Sequence, residues 1–277
     1  MSPRTLFGLV FCLLIAGSGE AFAEFTSVAT PLEEITQAEA ALERGAFDEA
    51  IDRLELAADR GVVHPDVSYA RARAYVERAR SSAARAGDLG RAAAALEETL
   101  HLRPSDDTAE KALEKIRAEI SRRRARTGAS PVIQRPAIGR AVADLLPENV
   151  WAGVAAFGAL VLTLGLSARH VLRRRTIEIA AAVGVVAGLV FGVVGGALAG
   201  LSRYYRTTSR PAVVVVAEAR LLDADGRPLP RRGESENAVP EGALVHVRGQ
   251  ADGLSDIEWG TVRGFVSSAQ VRLLASP

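Results

Sequence analysis

The chain has 277 residues, 24% of them charged, and a formal net charge of +1. This length favours about two domains. The 34 basic residues are balanced by 33 acidic ones, so net charge gives no argument for a nucleic-acid partner.

Residues 1–23 have the three parts of a secretory signal peptide. Arg4 lies near the start, an apolar stretch covers residues 6–16, and the segment ends in Ala21-Phe22-Ala23. Cleavage after Ala23 would remove Cys12, the one cysteine, and leave no disulfide, thiol nucleophile or cysteine metal site. An uncleaved signal would add a third span without changing the topology.

Residues 31–124 are rich in Ala, Leu, Glu and Arg at helical spacing. Two apolar stripes lie 42 residues apart, and a turn glycine, Gly45 or Gly87, precedes each. The stripes are Phe47, Ala50, Ile51, Leu54 and Ala58, then Leu89, Ala92, Ala93, Leu96 and Leu100.

Residues 45–51 (GAFDEAI) resemble the centre of a tetratricopeptide repeat, and residues 87–104 resemble its second half. The usual period is about 34 residues. The surplus is assigned to a long first helix of the second repeat, residues 66–85, with Ala72 and Tyr75 at the small and aromatic positions. Residues 106–124 are predicted to form a polar capping helix.

Two interpretations of this segment stay open. A plain helical bundle would need no partner, whereas stacked repeats would present a concave surface for a partner's peptide or helix. Four arginines of the predicted long helix either favour an acidic partner or form a solvated basic face. They are Arg71, Arg73, Arg78 and Arg80.

A linker, residues 125–148, carries Pro131, Pro136 and Pro147 and is predicted to be irregular, with a short amphipathic helix over residues 137–146. Two apolar segments follow, predicted as transmembrane helices over residues 149–168 and 176–202.

The connector between these segments, residues 169–175, is short and basic, so the two spans should form a hairpin. Its arginines, Arg169, Arg173, Arg174 and Arg175, favour a cytoplasmic tip by the positive-inside rule. Export by the signal peptide leads to the same topology, with both soluble parts outside the cytoplasm. Glu178 is interpreted as a boundary charge neutralised by Arg174 and Arg175.

The second span carries a glycine at every fourth position, which allows another helix to approach closely. This ridge either packs against the first span, at Gly153, Ala156 and Ala159, or mediates self-association or docking of a partner helix. Trp151, Tyr204 and Tyr205 suit the outer interface. The ridge consists of Gly184, Gly188, Gly192, Gly196 and Gly200.

Residues 211–275 change to short apolar runs, which predict about five strands in a small barrel, with residues 228–242 as a loop. The segment resembles a bacterial SH3-like domain in its EGALVHV run, its tryptophan strand, its Gly-Phe-Val triplet and its closing VRLL run. Trp259 and Phe265 are expected in the core, so a polyproline-binding role is not supported. The runs fall at residues 212–216, 219–222, 245–247, 257–262, 264–266 and 271–273.

Motifs of catalysis are missing from the sequence. It contains no P-loop, no H-E-x-x-H and no G-x-S-x-G, and its four histidines, His64, His101, His170 and His246, are scattered. We therefore expect no enzyme activity, no catalytic residue, no cofactor and no metal site.

The fold class expected from these segments is a multidomain membrane protein: tetratricopeptide-like helical repeats, a two-helix transmembrane hairpin and a small all-β SH3-like barrel. This order resembles the tetratricopeptide/SH3 member of the Bat (aerotolerance) family over nearly the whole chain. The resemblance implies a non-enzymatic inner-membrane scaffold facing the periplasm, with von Willebrand A-type Bat proteins and, indirectly, a MoxR-type ATPase as partners. The alternatives are a protein that binds peptidoglycan through its SH3-like domain, and an oligomeric channel built on the glycine ridge.

Overall fold

The structure is a computed structural model that describes residues 31–126, 138–143, 145–171, 175–229 and 237–275. The predicted signal peptide, Pro131, Pro136, Arg173 and Arg174 lie outside these residues. The described ranges contain eight α-helices, one short 3-10 turn and a small antiparallel sheet.

Five helices form the amino-terminal part, and each pairs with its neighbour along the chain. His64 caps the third helix, because its Nδ1 accepts a hydrogen bond of 3.3 Å from Asp66 N and Pro65 occupies the first helical position. Asp106 caps the fifth helix, with two backbone N–H groups donating to its Oδ1 at 3.1 Å. The helices are α1 (Pro31–Glu43), α2 (Phe47–Asp59), α3 (Pro65–Arg80), α4 (Asp88–Leu102) and α5 (Asp107–Arg126).

The predicted long helix over residues 66–85 is wrong at its end, because α3 stops at Arg80. Ser81 takes an extended conformation and its Oγ donates to the Arg78 carbonyl at 2.9 Å while accepting from Ala83 N at 3.1 Å. A serine that bonds the local backbone in this way competes with helix continuation. The surplus residues of the repeat therefore form a loop before Gly87.

The two apolar segments form an antiparallel helix pair, α7 (Glu148–Val171) and α8 (Arg175–Thr208), preceded by the short helix α6 (Ile138–Ala143). Residues Glu148–Arg169 and Glu178–Thr208 are each long and apolar enough to cross a membrane. Only 11% and 17% of their most apolar windows are buried within the protein, so both helices present bare apolar faces. A core helix of a soluble domain would be covered on those faces.

The carboxyl-terminal part contains seven short strands. Five of them form one antiparallel sheet in the order β6-β5-β4-β1-β7, and β2 pairs with β3. The prediction of a loop over residues 228–242 is wrong near its end, where β3 forms. The predicted run 257–262 is two strands, because a turn at Gly260 (φ 60°) separates β5 from β6. The strands are β1 (Arg210–Val214), β2 (Glu218–Arg220), β3 (Ala238–Pro240), β4 (Leu244–Ala251), β5 (Leu254–Trp259), β6 (Val262–Ser267) and β7 (Val271–Leu273).

The helical part and the sheet share a hydrophobic core, although the linker and the helix pair separate them in the chain. Side chains alternate between the two faces of a strand. Val213 and Val215 therefore pack among the helices with Leu274, whereas Ala212 and Val214 pack inside the sheet around Ile257 and Trp259. The burial of Trp259 agrees with its expected place in the core; Phe265 is only partly buried.

Helix α4 lies close against the backbone of β1. A Cβ at Gly90 would stand 2.9 Å from the Val214 carbonyl oxygen, so the approach requires a glycine. Gly90 N donates a hydrogen bond of 2.7 Å to Glu241 Oε1, and Arg272 pairs with Glu55 at 2.5 Å. Helices α1–α5 and the sheet thus form a single packed unit outside the apolar helix pair, which we call the soluble unit.

Candidate interaction surfaces

A groove runs between α1 and α3. Its volume is about 190 Å³, and Leu54 and Ala38 are buried at its floor. Tyr69 lines the wall and is only partly buried. Partly apolar grooves of this kind accept a peptide or a helix from a partner.

Charged side chains border this groove on both sides. Arg73 pairs with Glu39 at 3.3 Å, and both side chains remain at least half exposed. Asp66 also lines the groove and pairs with Arg103 at 3.0 Å. Exposed ion pairs of this kind contribute about 0–1 kcal/mol, so a partner can exchange them at low cost.

Arg71 is not available to a partner. Its side chain is 1% exposed, its Nη2 donates to Glu98 Oε2 at 2.5 Å, and Glu55 lies 3.7 Å from its Nε. Ser68 Oγ also donates to Glu98, at 3.2 Å. Arg71 Nη1 is buried without a hydrogen-bond partner among the described residues, so burial of this ion pair costs free energy. Removing either charge alone would cost more, because the remaining charge would lose its main partner.

Arg78 is buried in the same way. Its Nη2 and Nε donate to both carboxylate oxygens of Asp88, at 2.5 and 3.2 Å, and its Nη1 donates to Asp48 at 2.6 Å. These hydrogen bonds raise the pKa of the Arg78 guanidinium, chiefly through Asp88. Its guanidinium also lies 5.4 Å from the ring of Tyr75, whose pKa is raised by burial and by Glu55.

The predicted arginine surface is therefore wrong for two of its four members. Arg71 and Arg78 hold α3 against its neighbours, whereas Arg73 and Arg80 are exposed, and of these two only Arg73 lines the groove. The sequence carries a signal for this outcome, because Arg71 and Arg78 share the helical stripe of buried Val67. The buried acids Glu98 and Asp88 were missed because their partners lie on another helix.

No family model, no curated protein and no solved structure matches this chain.

The pairing of α7 with α8 uses glycines at seven-residue spacing. A Cβ at Gly188 would stand 2.7 Å from the Gly158 carbonyl oxygen, and one at Gly195 would stand 2.7 Å from Ala155 N. Gly165 of α7 is equally tight against the carbonyl of Ala181, at 3.0 Å. Backbone contact of this kind requires small residues on both helices.

The predicted ridge of every fourth residue is only partly used in this pairing. Gly188 is at the contact, and so is the backbone of Gly192, whose nitrogen is the nearest atom to a Cβ built at Gly158; a Cβ at Gly192 itself would stand 3.9 Å or more from α7 atoms. A Cβ at Gly184, Gly196 or Gly200 would meet nothing within 4 Å. The predicted contact at Gly153 is wrong as well, since its Cβ would be free, and Gly158 and Gly165 take that role.

Ion pairs and an aromatic contact surround the end of the helix pair next to the soluble unit. Glu148 pairs with Arg206, and Arg203 lies 3.7 Å from the same carboxylate. Arg140 of α6 lies over the ring of Tyr205 at 4.4 Å and reaches Glu258 of β5 at 3.5 Å. These contacts fasten the linker, the helix pair and the sheet to one another.

The opposite end carries the basic tip. Arg169 is exposed at the end of α7, and Arg175 begins α8.

Within the described ranges, no three His, Cys, Asp or Glu side chains are grouped to hold a metal ion. Burial together with the nearby Arg140 lowers the pKa of His246 to about 4.

Proposed function

We propose that the protein is a non-enzymatic scaffold anchored in the bacterial inner membrane by α7 and α8, with its soluble unit in the periplasm. One observation carries the proposal. The segments that precede and follow the helix pair meet in one hydrophobic core, through Val213, Val215 and Leu274. Two segments that share a core must lie on the same side of a bilayer, so an even number of spans separates them.

The direction of insertion rests on the sequence. A signal peptide would export residues 24 onward, and Arg169 and Arg175, with the neighbouring arginines 173 and 174, would keep the tip in the cytoplasm. Reporter enzymes fused at residue 172 and at the carboxyl terminus should give opposite compartment signals. Equal signals from the two fusions would contradict the hairpin.

The binding surface in this proposal is the groove between α1 and α3. We propose that the helices are tetratricopeptide-like repeats, that the sheet is an SH3-like domain, and that the chain acts in a Bat-type envelope complex. Its partners would then be von Willebrand A-type membrane proteins and, through them, a MoxR-type ATPase. The apolar floor of the groove and its exchangeable ion pairs support a peptide-binding role.

A matched pair of charge reversals tests the groove. Arg73→Glu changes a groove residue that is 57% exposed, whereas Arg80→Glu makes the same change on the same helix outside the groove. Affinity capture from membranes should recover less of a von Willebrand A-type partner with the first variant and as much as wild type with the second. Equal recovery with both variants would remove the groove from the proposal.

Deletion of the whole helical part is a poor test in this molecule. It would uncover Val213 and Val215, which pack among the helices, and would leave Arg272 without Glu55. The sheet would then expose an apolar face and lose stability together with the groove. Point variants on the groove avoid this ambiguity.

A further inference from the structure

A second cleft, distinct from the groove, lies where α8 ends and the sheet begins. Its volume is about 240 Å³. The last turn of α8, the first residue of β1 and the middle of β4 line it, and the lining residues include Arg210 and Arg248. No carboxylate lines the cleft.

The strand pairing explains why two arginines meet there. β1 and β4 are antiparallel, with Arg210 opposite Val247. The pairing of β4 with β5 then shifts between Val247 and Gly249, which leaves Arg248 as an extra residue next to the partner of Arg210. Bulges of this kind redirect a side chain and are frequent next to functional sites.

These two arginines differ from their neighbours in having no counter-ion among the described residues. Arg203 and Arg206 pair with Glu148, and Arg263 pairs with Asp256. Arg210 and Arg248 are exposed and make no ion pair within the described part of the chain. The carboxyl end of α8 offers about half a negative charge, which leaves an excess of about 1.5 positive charges in the cleft.

The height of the cleft along α8 indicates what supplies the missing anion. The uncharged stretch of α8 ends at Ser202, and Thr208 lies six residues further, about 9 Å along the helix axis. The polar layer of a bilayer extends about 5–8 Å beyond the hydrocarbon on each side. If the helix pair is inserted as proposed above, the last turn of α8 lies at the outer edge of this polar layer, within a few ångströms of the lipid phosphates.

We propose that this cleft binds the phosphate of an anionic phospholipid in the leaflet where α8 ends. Guanidinium groups pair with phosphate oxygens in a bidentate manner, so two arginines lining one cleft can together donate four hydrogen bonds to one phosphate. The lipid then anchors the soluble unit to the membrane surface at the point where β1 leaves α8.

The test uses the full chain in mild detergent, titrated with phosphatidylglycerol or with phosphatidylcholine of the same acyl chains, and bound lipid is counted by native mass spectrometry. Wild type should prefer phosphatidylglycerol. The variant Arg210→Gln/Arg248→Gln should bind it roughly thirtyfold more weakly, which corresponds to about 2 kcal/mol. The matched control is Arg220→Gln, at an exposed arginine of β2 outside the cleft, and it should bind as wild type does.

Three outcomes would overturn the inference: equal binding of the two lipids, unchanged affinity in the double variant, or complete displacement of phosphatidylglycerol by excess inorganic phosphate. The last would make the cleft a site for soluble phosphate. The variant Arg210→Lys/Arg248→Lys, which keeps the charge but not the fork of donors, should lie between wild type and the glutamine variant. If any of these three results were found while the reporter fusions gave opposite compartment signals, the lipid site would be refuted and the proposed scaffold would stand.

Discussion

Two alanine substitutions on α8 test how the helix pair is packed. Gly188→Ala places a methyl group 2.7 Å from the Gly158 carbonyl oxygen, and closer still to the backbone nitrogen of Leu162. Neither atom can rotate away, so the helices must separate by roughly 1 Å to bring the closer of the two contacts to an ordinary 3.4 Å. Overpacking of this kind costs about 1–3 kcal/mol.

The control is Gly196→Ala, where the methyl group would meet nothing within 4 Å. Both substitutions gain the same helix propensity, about 1 kcal/mol in soluble helices, so their difference isolates the packing cost. We expect Gly188→Ala to be less stable than Gly196→Ala by about 1–3 kcal/mol.

The free energy of separating α7 from α8 can be measured by titrating the full chain from mild micelles into SDS. Donor and acceptor dyes on cysteines introduced at Asn149 and Tyr204, both exposed near the end of the pair next to the soluble unit, report the separation. Equal stability of the two variants would refute the seven-residue contact. A larger loss in Gly196→Ala would show instead that the four-residue ridge packs against another helix.

Three further predictions concern the soluble unit. Glu98→Ala should lower the free energy of unfolding by about 3 kcal/mol, because it leaves buried Arg71 with only the more distant Glu55 carboxylate at 3.7 Å, and Arg71→Met/Glu98→Leu should recover much of that loss in a denaturant titration. Gly90→Ala should raise hydrogen exchange in α4 and β1 together, since its Cβ would press on the β1 backbone; exchange confined to α4 would contradict the shared core. The pKa of His246 is lowered by burial and by Arg140 from 6.5 to about 4, so the folded state binds fewer protons than the unfolded state between those values. Stability should therefore fall as pH drops from 6.5 to 4, by on the order of 3 kcal/mol, and His246→Gln should remove that part of the slope in unfolding curves.

The helices were predictable because their signals are local. Apolar stripes, the turn glycines Gly45 and Gly87 and the capping residues act within a few positions of one another, and α2, α4 and α5 begin within a residue or two of where they were expected. The end of α3 was missed because a single side chain, Ser81, decides it. The strand β3 was missed because its three residues are held mainly by pairing with β2.

The roles of the arginines depended on contacts across the fold. Arg71 and Arg73 stand two residues apart on one helix, yet the first is 1% exposed and the second is 57% exposed. Only the position of α4, which brings Glu98 against α3, makes burial of a guanidinium tolerable. The cleft at Arg210 and Arg248 likewise requires the pairing of strands that are far apart in the chain.

The sequence by itself determined that two long apolar helices follow one another, joined by a short basic connector, because length and lack of charge are properties of composition. Tertiary structure alone decided which glycines touch and that the flanking segments share one core. Each residue of an α-helix is rotated by about 100° from the one before it. Side chains four residues apart therefore differ in direction by about 40°, whereas side chains seven residues apart differ by only about 20°, in the opposite sense. An extended contact between two helices therefore follows the seven-residue spacing, through Gly188 and Gly195, and leaves Gly184, Gly196 and Gly200 outside the contact.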